Sequence, residues 1–230
     1  MSIREERDLK IPNESYIKLC HSKQRYNWDC GISCILMVLS HKDRKTLFKN
    51  LLTICKEEGF NRSTWTIDLC YLLQRFKVSH EFYTVTVGVD PGYRSNTFYN
   101  NVLAKDEDRV RKRFKEAKKN GVTIYNEMVS IWFVLKHLVR GPVIMLINAK
   151  LLSCDSCKTN KLSLELRQCL PWPISYQGHY ITLCGYNLKI RKIYYRNPSL
   201  NEHVCITSFE ILEEAWRSYG TDQDLILIYI

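Results

Sequence analysis

The chain of 230 residues predicts an α+β fold from two patterns. Apolar residues recur at helical spacing through its first third, and β-branched and aromatic runs dominate after Pro142. Helices first and strands second predict N-terminal helices packed on a C-terminal antiparallel sheet. The composition, 45% hydrophobic and 25% charged with only 9 Gly and 6 Pro, excludes disordered and collagen-like chains. The length suits one domain over 16–230 after an N-terminal extension of 1–15.

The elements follow in order. Ile32, Ile35, Leu36 and Leu39 fall on one helical face, and Met37 and Val38 make the other side apolar too, so this helix is buried. A second helix runs from about Arg44 to Glu58 with Gly59 as its C-terminal stop. A third starts near Ser63 or Thr64 and buries Trp65, Leu69, Leu72 and Leu73, with Asp68 bonding locally near its start. His80 to Val87 reads as a strand, Gly88 to Asn101 as a loop, and Val129 to Val139 as a helix ending before Gly141-Pro142. Strands are predicted at Val143–Asn148, His179–Tyr186, Ile190–Tyr195 and Asp224–Ile230. A helix from Thr207 carries the capping-box pair Thr207 and Glu210. Between Ala149 and Ser175 lies a polar, Cys-containing insertion without periodicity, the kind of stretch that is usually functional or mobile.

The formal net charge is +10. Much of it lies in Lys105 to Lys119, where acids lead and bases follow as the helix dipole prefers, so a solvated helix face is expected there. No zinc-finger, RNA-recognition or helix-turn-helix signature supports a nucleic-acid partner. The longest apolar stretches fall far short of the ~20 residues that span a bilayer, so no membrane partner is expected.

Ten cysteines stand out. The charged opening, Met1-Ser2-Ile3-Arg4-Glu5-Glu6, lacks the apolar core of a secretory signal, so a cytoplasmic location and free thiols are expected. Cys34, Cys55, Cys70 and Cys184 sit in apolar periodic segments and read as core. Cys154, Cys157 and Cys169 share the insertion and are candidate zinc ligands, with Cys184, Cys205 or His203 as possible fourth donors. Free thiols and a redox-labile pair remain the alternatives.

Cys30 is distinct. It stands at the start of the buried helix in Asp29-Cys30-Gly31, where unpaired backbone N–H groups and the helix dipole would lower its pKa. His179, which opens a strand after Gly178, is the natural base. Asn197, at the end of the next strand, would hold the imidazole tautomer. Gln24, six residues before Cys30, could donate to an oxyanion beside the Cys30 N–H.

This constellation resembles papain-like cysteine peptidases. Gly178-His179-Tyr180-Ile181-Thr182-Leu183-Cys184-Gly185-Tyr186 is most similar to the branch that includes the double-glycine peptidases. Over about Tyr16 to Ile230 the chain resembles still more closely the guanylyl cyclase domain-containing family and its plant relatives. The segments that carry this likeness include Trp28-Asp29-Cys30-Gly31, Gly88-Val89-Asp90-Pro91-Gly92-Tyr93 and Tyr219-Gly220-Thr221-Asp222-Gln223-Asp224. The resemblance implies a papain-like fold and a name that claims GTP as substrate. The residues themselves point to thiol hydrolysis of a protein or peptide, with no cofactor beyond a structural zinc. No two carboxylates are spaced to share a metal, and no glycine-rich phosphate cradle is present. A non-catalytic interaction protein that keeps the fold is the third alternative.

Overall fold

The computed structural model describes residues 11–60, 63–90, 92–93, 97–160 and 175–230, with only the helical backbone given for 97–104. Seven helices are described: α1 (Cys30–Val38), α2 (His41–Lys49), α3 (Leu51–Glu57), α4 (Thr66–Arg75), α5 (Thr97–Glu116), α6 (Ile131–His137) and α7 (Phe209–Trp216). Eight strands are described: β1 (Glu14–Tyr16), β2 (His80–Thr84), β3 (Ile124–Asn126), β4 (Val143–Asn148), β5 (Gly178–Asn187), β6 (Lys192–Arg196), β7 (Cys205–Ser208) and β8 (Leu225–Ile228). They form one sheet in the order β3-β2-β8-β4-β5-β6-β7, with β1 added along β5.

The fold is α+β, and its sheet is antiparallel except for the β2–β3 pair, which is parallel. Both faces are covered. Leu146, Ile144, Tyr180 and Ile226 pack beneath α1 and α4. Met145, Ile147, Ile181 and Leu183 pack against α6 and α7 on the other side. Every residue of β4 is therefore buried, as expected for a strand covered on both faces.

Local chemistry explains where the elements differ from expectation. The second predicted helix breaks at Asn50, which serves as C-cap of α2 and N-cap of α3, and Gly59 follows with φ +71. Ser208, not Thr207, caps α7, its side chain accepting from the Ile211 N–H. The basic segment is not merely a solvated face. Arg109 and Arg113 of α5 turn inward to Asp68, which is fully buried in α4. Gly31 packs closely, since a Cβ there would lie 2.8 Å from Leu69 Cδ1 and 3.1 Å from the Tyr180 ring and would make those side chains shift. That contact seats the first turn of α1 against α4 and β5. Among the described residues no helix is long and apolar enough to cross a membrane.

Candidate functional site

Cys30 is the first residue of α1 and is buried. Asp29 precedes it as N-cap but makes no side-chain cap bond. Its buried carboxylate instead accepts from the backbone N–H groups of Arg25 and Tyr26, at 3.1 and 3.0 Å. This fixes the turn from Gln24 into the helix. The Gln24 N–H donates to the Pro198 carbonyl at 2.8 Å, so the same turn is tied to the loop after β6.

That loop holds Asn197. Its side-chain oxygen accepts from the Ser199 N–H at 3.0 Å, which settles which end of the amide is oxygen. The same oxygen meets His179 Nε2 at 2.9 Å. An amide oxygen only accepts, so Nε2 carries the hydrogen and Nδ1 is the basic nitrogen of the neutral ring. Burial pushes the His179 pKa down, against the upward pull of the Asn197 bond.

The Cys30 thiol differs from the expectation at a helix start. Burial pushes it up to about 11. Backbone N–H groups of Tyr180 and Gly31 oppose this, and the Asp29 carboxylate adds to it. Desolvation of a thiolate outweighs the dipole here. The Tyr180 N–H that meets the sulfur belongs to the residue directly after His179 on β5. Tyr180 lies opposite Leu146 on the α1 side, whereas His179 lies opposite Ile147, which packs on the other side. The sulfur is bonded to backbone amides and the ring to Asn197, and the two side chains are not hydrogen-bonded to each other. At rest both groups are neutral. The Gln24 Nε2 donates to the Tyr26 carbonyl at 2.8 Å, which leaves its second hydrogen for another acceptor, while its Oε1 is buried without a partner.

A cavity of about 320 Å³ opens beside Cys30. Trp28, Trp65, Tyr176 and Tyr180 give it aromatic walls, and Asp222 and Asp224 line it together. Sequence reasoning missed these two carboxylates. Asp222 and Gln223 are consecutive non-glycine residues with φ +50 and +51, and such strained pairs cluster at functional sites. Burial raises both carboxyls, and each is raised further by an acidic neighbour. Asp224 Oδ1 has no hydrogen-bond partner.

A second cluster lies at the β6–β7 hairpin. The donor atoms of Cys154, Cys157, His203 and Cys205 all lie within 4.8 Å of one another, a group that could hold a metal ion. Cys169, the third zinc candidate from the sequence, lies outside the described residues. A hydrogen bond with the Cys205 thiol lowers the Cys154 pKa and raises that of Cys205. All nine described cysteines are free.

A family model described as guanylylate cyclase matches residues 19–228. The chain is 36% identical over 225 residues to guanylyl cyclase 1 of Arabidopsis thaliana, covering 96% of this chain and 79% of that one. The chain belongs to the guanylylate cyclase family. Among solved structures, a C39-like peptidase from Bacillus anthracis is similar over 44% of this chain and 47% of its own, at 24% identity and a TM-score of 0.30.

Proposed function

We propose that this family member is a thiol hydrolase, a cysteine peptidase or related acyl-cleaving enzyme, acting on a protein or peptide in the cytoplasm. The observation that carries this reading is the 2.9 Å bond from His179 Nε2 to an Asn197 oxygen whose orientation is independently fixed. It leaves Nδ1 as a base at the strand end whose next residue, Tyr180, turns its N–H to the Cys30 sulfur. Because thiol and imidazole are both neutral at rest, the proton moves during attack rather than from a preformed ion pair.

Cys30 Sγ forms a bond to the substrate carbonyl carbon as its proton passes to His179 Nδ1. The carbonyl oxygen gains the negative charge, and the Cys30 N–H and Gln24 Nε2 donate to it. The imidazolium then gives its proton to the leaving group as the C–N or C–O bond breaks. Water cleaves the thioester with His179 again as base, and the acid product leaves. The aromatic cavity beside Cys30 would take an apolar or aromatic side chain of the substrate.

An electrophilic acyl probe checks this. It should label the wild-type chain at Cys30, lose labelling on Cys30→Ala and label weakly on His179→Ala. Undiminished labelling of the Cys30→Ala chain overturns the assignment.

A second reading, a guanylyl cyclase acting on GTP, is favoured by the family name and by one observation. Asp222 and Asp224 share the cavity with stackable aromatic rings, and paired carboxylates are what a metal-assisted cyclase needs. It ranks second because the described lining residues include no Lys or Arg to offset a triphosphate against two carboxylates. Cyclic GMP formed from GTP with magnesium or manganese, and lost on Asp222→Asn, would favour it over hydrolysis.

A further inference from the structure

We propose that Cys154, Cys157, His203 and Cys205 form a structural zinc site that pins the segment following β4 to the β6–β7 hairpin. The donor set is chemically apt, since three thiolates and one imidazole form a closed tetrahedral zinc site. Softer thiolate sets disfavour magnesium and calcium. A zinc tetrahedron with Zn–S bonds of about 2.3 Å has edges of roughly 3.8 Å. Donors already within 4.8 Å of one another therefore need to move by about an ångström or less at the widest edge.

Two hydrogen bonds point to a metal independently of that spacing. His203 Nδ1 lies 3.0 Å from the Asn201 carbonyl, an acceptor, so Nδ1 carries the hydrogen. The lone pair is then on Nε2, which sits 3.2 Å from Cys205 Sγ inside the cluster. Orientation of a ligating imidazole by a carbonyl on its far nitrogen is the usual support of a zinc-binding histidine. The Cys157 N–H points at Cys154 Sγ at 3.5 Å, placing a donor on a sulfur that would carry negative charge.

The backbone holds the ligands in place without the metal. The Asp155 N–H donates to Ile206 at 2.8 Å and the Ser156 hydroxyl to Val204 at 3.2 Å. Lys192 pairs with Asp155 at 2.7 Å. Lys158 and Asn160, with φ 58 and 55, turn the segment back on itself, and Cys154 and Cys205 are buried. Cys157 and His203 are half-buried, and four protein donors would fill a tetrahedron and leave no position for a reacting water. Zinc binding would displace thiol protons to solvent. Both connections that frame the proposed catalytic pair meet here: the one entering β5 before His179, and the one leaving Asn197 toward β7. The metal site itself does not depend on the hydrolase reading.

Elemental analysis of the full-length chain, purified from zinc-supplemented cells, gives the test. The expected result is one zinc per chain, lost tenfold or more on Cys154→Ser, Cys205→Ser and His203→Ala. It should persist on His203→Cys, which restores a fourth soft donor, and on Cys169→Ser. A wild-type chain that holds no zinc even after anaerobic reconstitution overturns the site. Loss on Cys169→Ser with retention on His203→Ala overturns the ligand assignment. Should the variants fail to fold, Co²⁺ exchange into the wild-type chain decides. A tetrahedral thiolate–cobalt spectrum supports the site, and its absence overturns it.

Discussion

The two thiol centres of this protein use the same residue in opposite ways. Cys30 is buried at a helix start, where desolvation keeps its thiol protonated and pushes it up to about 11. Cys154 sits among two other thiols and an imidazole, where hydrogen bonds favour its thiolate. A lone buried thiol can store a proton until a substrate arrives. A crowded set shares charge and invites a cation. The difference teaches that a cysteine's role is set by how many polar partners burial leaves it, rather than by burial itself.

The sharpest way to break that contrast is to exchange chemistry for structure at each centre. Cys30→Ala should lower acyl hydrolysis by at least ~10³-fold while leaving thermal stability close to wild type, since a small thiol is replaced by a methyl. Cys154→Ser should do the reverse, lowering stability with intact chemistry in whatever fraction stays folded. Steady-state rates and melting curves of both variants check this. Equal loss of activity in the two would erase the distinction.

The helical layer around Cys30 also rests on buried charge. Asp68 is held by Arg109 at 2.9 Å, Arg113 at 2.8 Å and the Trp65 N–H at 3.0 Å. Asp68→Ala removes the carboxylate that two largely buried guanidinium groups share, leaving Arg109 with Asp106 and Arg113 with Glu58, and should cost about 3 kcal/mol, read by urea unfolding. This is a larger stability loss than any single cysteine in α1 should cause. A change below about 1 kcal/mol would show that the arginines find water instead.

These contacts also mark how far the sequence could be read. The Cys30 helix start is legible because Asp-Cys-Gly before an apolar helical run is a local pattern, whereas the packing of Gly31 on Leu69 and Tyr180 is not. The strand that carries His179 and the strand that ends just before Asn197 are legible because period-two runs are local too. What was hidden depends on distant residues. Arg109 and Arg113 look like solvated charge until α5 is laid against α4. His203 and Cys205 were legible as possible donors, but that both join Cys154 and Cys157 shows only once the hairpin folds back. Asp222 and Asp224 sit in an irregular turn with two left-handed residues, which no periodicity announces. The helix dipole at Cys30 can be inferred from sequence, but the desolvation that overrides it cannot.

The rate at which Cys30 is alkylated measures that desolvation directly. A thiol pushed up to about 11 is a small thiolate fraction at neutral pH, and that fraction rises about tenfold per pH unit until the pKa is neared. Iodoacetamide labelling at Cys30, followed by mass spectrometry, should climb in that proportion from about pH 7 to about pH 10. A plateau reached below about pH 8 would mean that the dipole prevails and the thiolate exists at rest.

The smallest effect concerns one of the two carboxyls that line the cavity. Burial, then the charge of Asp222, raises the Asp224 carboxyl well above the ordinary value of about 3.9. Above that ordinary value the folded state therefore keeps a proton that the unfolded chain has released. Stability is fully present at low pH and falls as pH rises toward the raised pKa, because the native state binds more protons. Asp224→Asn keeps a neutral side chain of the same shape and removes this loss. The gain should be on the order of 1 kcal/mol, or about 2–4 °C in Tm, at about pH 8 and close to nothing at about pH 4. A variant destabilised equally at both pH values would show a carboxylate that is ionised and bonded in the fold. The cavity beside Cys30 would then be negatively charged, which holds the Cys30 thiol neutral all the more firmly.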